Sequence, residues 1–81
     1  YTFGGYMKAC VLIKTEAGKH RAVTGKVSKI KNVKISFPVL GRTDVVADVE
    51  VGDLKKLSEL ILEIGGINGV VATETLIGLE V

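Results

Sequence analysis

Within one short stretch, Gly41-Arg42-Thr43-Asp44, the chain sets a pliable backbone, a cation, a hydroxyl and a carboxylate side by side. Unpaired N–H groups at a turn can hold an anion, a carboxylate can hold an ammonium, and a hydroxyl can serve either. Such a tip can therefore hold a small zwitterion. A second polar interruption, Thr73-Glu74-Thr75, falls in an otherwise apolar run near the C-terminus. The period of a strand places Thr73 and Thr75 on one face, where they would offer two hydroxyls to a ligand beside the tip. Each of these residues also has a structural reason to be present. Glycine turns a hairpin, aspartate satisfies turn N–H groups, arginine solvates a loop tip and threonine suits a half-buried strand. Composition alone leaves both readings open.

Other chemistries lack their residues. There is no glycine-flanked serine elbow, no phosphate loop ending in Gly-Lys-Ser/Thr, no CxxC and no metal-binding histidine pair. The single histidine, His20, lies between Lys19 and Arg21, as a solvated surface residue would. The single cysteine, Cys10, lies inside a strand pattern, where a small buried hydrophobe is expected rather than a reactive thiolate. One cysteine and one histidine can build neither an internal disulfide nor a zinc site. No catalytic residue, cofactor or metal is expected, and the protein is read as not an enzyme.

The net charge of +2 comes from 11 basic and 9 acidic residues spread along the chain, so no basic stripe exists to follow a phosphate backbone. Direct DNA binding is not expected. An unpaired cysteine fits a reducing cytoplasm, no apolar run approaches the length of a membrane span, and the first residues lack a secretory pattern. A cytoplasmic protein without membrane contact is expected. With 81 residues and 47% hydrophobic content, the chain is one folded domain near the lower size limit for an independent core, and a second copy would help it.

The elements that must position these residues follow from periodicity. Residues 1–6 precede the only methionine, Met7, with neither periodicity nor a cap. They are expected to be a non-native or disordered leader, a short added strand being the other option, and the domain to run over 7–81. Lys8 to Lys14 reads as a strand apolar on both parities, hence central in its sheet. After Gly18 a helical pattern places Ala22, Val23, Val27 and Ile30 on one side. Val33 to Leu40 is a second strand, assigned to an edge by Pro38. The hairpin turns at Gly41 and leads into the third strand, Val45 to Val51. Asp53 is placed to cap a helix with Leu54, Leu57, Leu60, Ile61 and Ile64 as its apolar stripe and Gly65-Gly66 as its stop. The last strand spans roughly Val70 to Val81.

Sliding the chain against itself so that Lys8 falls on Val45 aligns Val23 with Leu60, Val27 with Ile64, Ile30 with Ile67 and Val33 with Val70. A strand-helix-strand unit therefore occurs twice. Two such units with right-handed crossovers give a ferredoxin-like βαββαβ fold of the α+β class, a four-stranded antiparallel sheet in the order 4-1-3-2 with both helices on one face. The other face is then open and partly apolar, which marks an interface. RNA-binding sheets of this type stack bases on aromatics of the central strands, and the first and third strands have none.

With this order in place, the chain resembles the RAM domain, the effector-binding domain of the leucine- and asparagine-responsive (Lrp/AsnC) transcription regulators, which also occurs as a stand-alone protein. The resemblance runs from about Met7 to Leu79. It is carried by Ala9 to Lys14 with Gly18, Ile30 to Val33, Gly41 to Asp44, Asp53-Leu54 with Leu57 to Leu60, and Val70 with Thr73 to Ile77. It implies a homo-oligomer of dimers assembled into a ring, with an amino-acid effector at a site between subunits. In that arrangement Asp44 takes the ligand ammonium, N–H groups around Gly41, Arg42 and Thr43 take its carboxylate, and Thr73 and Thr75 of a neighbour add hydroxyls. The partner implied is a full-length Lrp/AsnC regulator. Two positions depart: Thr43 stands where the family often has tyrosine, which removes a large wall from the pocket, and Ala17 stands where proline often precedes Gly18. A structural oligomerisation module without ligand, or an ACT-type regulatory domain, are the alternatives; a dimeric monooxygenase would need an apolar cavity lined by His, Asn or Trp, and the sequence offers one histidine, expected at the surface.

Overall fold

The computed structural model describes residues 2–3 and 6–79. Its elements are β1 (Thr2–Phe3), β2 (Tyr6–Thr15), α1 (His20–Val27), β3 (Val33–Pro38), β4 (Val45–Val51), α2 (Leu54–Gly65) and β5 (Val70–Ile77). Of the expected leader, Tyr1, Gly4 and Gly5 lie outside the described residues, whereas Thr2–Phe3 pair antiparallel with Met7 and Tyr6. All strand pairings are antiparallel, and the long strands run β3-β4-β2-β5, which is the 4-1-3-2 order expected for a ferredoxin-like sheet. Pro38 sits on β3, an edge strand, where its missing N–H disturbs no second ladder.

One face of the sheet is closed by the helices. Ala9, Val11 and Ile13 of β2 and Val45, Ala47, Val49 and Val51 of β4 are buried against Val23 and Val27 of α1 and Leu57, Leu60 and Ile64 of α2. The two helices differ in how they start. Asp53 accepts the Lys56 N–H at 2.8 Å, capping a twelve-residue α2, while Lys19 gives eight-residue α1 no side-chain cap. α1 is therefore shorter than its apolar pattern. Ala22 faces solvent, and Ile30 packs on the core from the turn that follows the helix. Leu54, in the first turn of α2, is likewise exposed rather than part of the buried stripe. β3 ends at Pro38 instead of Leu40, and β5 ends at Ile77, with Glu80 and Val81 outside the described residues.

The internal repeat extends to the hydrogen bonds. Ile30 N–H donates to Val27 O at 3.1 Å and Val33 N–H to Ile30 O at 3.2 Å; Ile67 N–H donates to Ile64 O and Val70 N–H to Ile67 O, both at 3.1 Å. Both helices thus enter the next strand by the same path. That path needs a left-handed residue just before each strand, supplied by Asn32 with φ 78° and Gly69 with φ 103°. The carbonyls of these two residues accept Glu50 N–H at 3.0 Å and Glu16 N–H at 2.8 Å, which locks each loop to a strand end.

The two positions are equivalent in backbone but not in space. A Cβ on Gly69 would lie 3.1 Å from Lys19 Cβ and 3.2 Å from Val23 Cγ2, so α1 packs on the glycine itself. Gly69→Ala should lower stability by about 1–3 kcal/mol through this contact and the left-handed backbone, whereas Asn32→Gly should change it by less than about 1 kcal/mol. Urea denaturation midpoints of the two variants check this; a neutral Gly69→Ala would contradict it.

Candidate functional site

The hairpin between β3 and β4 is fastened at its base before it can present anything at its tip. Val39 N–H donates to Asp44 O at 2.9 Å, closing the loop, and Gly41 turns it with φ 149°, a backbone open to glycine. Asp44 then joins the hairpin to the central strand twice. Its N–H donates to Ile13 O at 3.0 Å, and its Oδ2 accepts the Thr15 N–H at 2.8 Å. The β2–β4 pairing ends at Ile13 opposite Val45, so the Thr15 N–H lies beyond that ladder, and the Asp44 carboxylate satisfies it. This contact was not legible in sequence, because it links residues far apart in the chain.

The structure brings some of the expected site residues together and separates others. A cleft of about 300 Å³ lies beside the tip, with Arg42 and Thr43 reaching it from the hairpin and Thr73 from β5. Gly41 and Asp44 flank it without lining it. Thr75 is a strand position further along, opposite Val11, and like Thr73 opposite Ile13 it belongs to the helix-side face of the edge strand β5. Both threonines are half-buried. The remaining walls come from residues that sequence reasoning did not select: Leu12 and Lys14 of β2, and Ala72 and Glu74 of β5. Their signal was strand parity alone, since Leu12 lies opposite Glu74 and Lys14 opposite Ala72 on the face away from the helices.

That open face carries more than the cleft. Leu12, Val46 and Phe37 are in register across three strands, as are Leu76, Cys10, Asp48 and Ile35 across four. Phe37 is 43% exposed, Leu76 50% and Ile35 55%, although all three are large apolar side chains. A second depression of about 300 Å³ lies between Cys10, Asp48 and Leu76. Burial, and after it the Asp48 carboxylate, push the Cys10 thiol up, so at neutral pH it is held as a thiol and not as a nucleophilic thiolate. Among the described residues no group of three or more His, Cys, Asp or Glu is placed to hold a metal ion, and no helix is long and apolar enough to cross a membrane.

Comparison with known proteins places this geometry. The family model for the Lrp/AsnC ligand binding domain matches residues 8–81. The HTH-type transcriptional regulator FL11 of Pyrococcus furiosus is 32% identical over 73 residues, covering 90% of this chain and 48% of the relative. The chain thus spans about half the length of the curated relatives it matches. The crystal structure of TTHA0845 from Thermus thermophilus superposes with a TM-score of 0.88 at 28% identity, covering 93% of this chain and 95% of that one. The transcriptional regulator NMB0573 of Neisseria meningitidis, solved as an L-Met complex, has the same fold, with a TM-score of 0.80, 21% identity, and coverage of 91% of this chain and 50% of that one.

Because Asp44 is a structural clasp as well as a charge beside the cleft, its loss should be felt without any ligand. Asp44→Ala should lower the unfolding free energy by about 1–3 kcal/mol through the unpaired Thr15 N–H, and Asp44→Asn, which keeps an acceptor oxygen, by less. Equilibrium unfolding of the ligand-free variants measures this; an alanine variant as stable as the parent would contradict the clasp.

Proposed function

The chain belongs to the Lrp/AsnC ligand-binding domain family, and on that premise we propose that it is an amino-acid-sensing regulatory module that binds a small effector at a site shared between subunits. The observation that carries the reading is the cleft beside the hairpin tip, where a loop supplying Arg42 and Thr43 meets Thr73 of the edge strand. In this reading the effector carboxylate is held by N–H groups around Gly41, Arg42 and Thr43, and its ammonium by the Asp44 oxygen that Thr15 leaves free. A neighbouring subunit adds the hydroxyls of its own Thr73 and Thr75, which lie on the helix-side face of its edge strand. The neisserial neighbour, captured with L-Met, supports an amino acid as the class of ligand. Its identity to this chain is too low to carry the particular amino acid across.

Assembly follows from the sheet. Two copies would pack their open faces together, burying the partly exposed Phe37, Ile35 and Leu76, each contributing at most about 1.5–3 kcal/mol before the entropy of association is subtracted. Dimers would then meet through the β3 and β5 edges and the hairpin tips to form a ring, and effector occupancy would bias that contact. The regulator is read as acting through a partner, a full-length member of the same family, since the matched relatives are transcription regulators about twice as long. A structural oligomerisation module without ligand is the second reading. What favours it is the Asp44 carboxylate, already committed on one oxygen to Thr15.

Calorimetry against the twenty amino acids separates the two. At least one should bind, and Asp44→Ala should weaken it by roughly ten- to a hundredfold, the value of one charge-assisted hydrogen bond. No heat with any amino acid would leave only the structural module.

A further inference from the structure

We propose that the effector is a dicarboxylic amino acid, with Lys14 and Arg42 taking its side-chain carboxylate; this rests on the amino-acid-sensing reading above. That reading accounts for the two ends of a zwitterion but not for the charges lining the rest of the cleft. Lys14 is on β2 and Arg42 on the hairpin, so two cations converge from different elements on one concavity with a single carboxylate, Glu74. With Asp44 and the tip N–H groups used by the α-amino and α-carboxyl groups, the walls facing the effector side chain carry an excess positive charge.

An aliphatic side chain is a poor occupant of such walls. Enclosing it at a subunit contact would strip water from Lys14, Arg42 and Glu74 and leave one of the two cations without a partner, which costs free energy. A side-chain carboxylate reverses this balance by accepting charge-assisted hydrogen bonds from Lys14 and Arg42, the latter in a two-pronged geometry suited to carboxylates. Leu12 and Ala72 line the same concavity with apolar surface that suits the intervening methylenes, and a cleft of about 300 Å³ can hold a molecule the size of an amino acid with a short acidic side chain. Thr43 lines the same concavity with a small side chain. Glu74 opposes a second acid and tunes the affinity downward, so its charge has a sign that can be tested.

Calorimetry on the full chain with L-aspartate, L-glutamate and their neutral isosteres L-asparagine and L-glutamine decides the matter. One of the two acids should bind roughly tenfold or more tightly than its amide. Lys14→Met, which keeps the aliphatic stem, should erase that preference, and Glu74→Gln should enlarge it. A neutral amino acid bound in preference to both acids, or an acid preference that survives Lys14→Met, would overturn the assignment and leave amino-acid sensing intact. Absence of binding by all amino acids would overturn both.

Discussion

Two helices packed on one side of a four-stranded sheet can cover that side only, and most of what is distinctive in this chain follows from how its other side is furnished. The covered face is built from small β-branched and aliphatic residues, Ala9, Val11, Ile13, Val45, Ala47 and Val49, all essentially removed from water. The opposite face mixes Leu12, Val46, Phe37, Ile35 and Leu76 with Lys8, Lys14, Asp48, Glu50 and Glu74. A sheet face destined for solvent has no need of the first group, and one destined for a dry monomeric core could not include the second. An interface with an apolar centre and charged margins accommodates both.

The hairpin depends on the same sheet. Its base is pinned to the end of the central strand by Asp44, through a backbone bond to Ile13 and a carboxylate bond to Thr15, so the tip is held at the margin of the open face. A loop so fastened keeps Arg42 and Thr43 at the cleft while Leu40 at its tip stands fully exposed. Arg42 is exposed and Thr43 half-buried, and the cleft they share with β2 and β5 is incomplete on its outer side. In the proposed assembly a neighbour closes it, which would put a sensing site at the edge of the fold and not in its interior.

Much of this architecture was legible from residue order because the chain repeats itself. Val23 and Val27 matched Leu60 and Ile64 in sequence, and they occupy matching places in the core. Asn32 and Gly69 match in position and share a left-handed backbone, although one is an asparagine and the other a glycine. What periodicity could not give was anything set by contacts between distant elements. Ala22 fits an apolar stripe but faces water, because uncapped α1 is short and only Val23 and Val27 of that helix reach the core. The Thr15–Asp44 bond is invisible in sequence, as is the convergence of Lys14 and Glu74 on the cleft, since each depends on a strand register that no local pattern specifies. Conversely, Gly41 to Asp44 were selected on local chemistry, and of these only Arg42 and Thr43 line the cleft.

The proposed sensing function requires that the open face be covered by a second copy, and the mass of the protein in solution tests that most directly. Light scattering at micromolar concentration should return an even multiple of the 8.6 kDa chain mass, from a dimer upward. A mass of 8.6 kDa would contradict it, since Phe37, Ile35 and Leu76 would then be standing in water and the cleft would have no neighbour to close it.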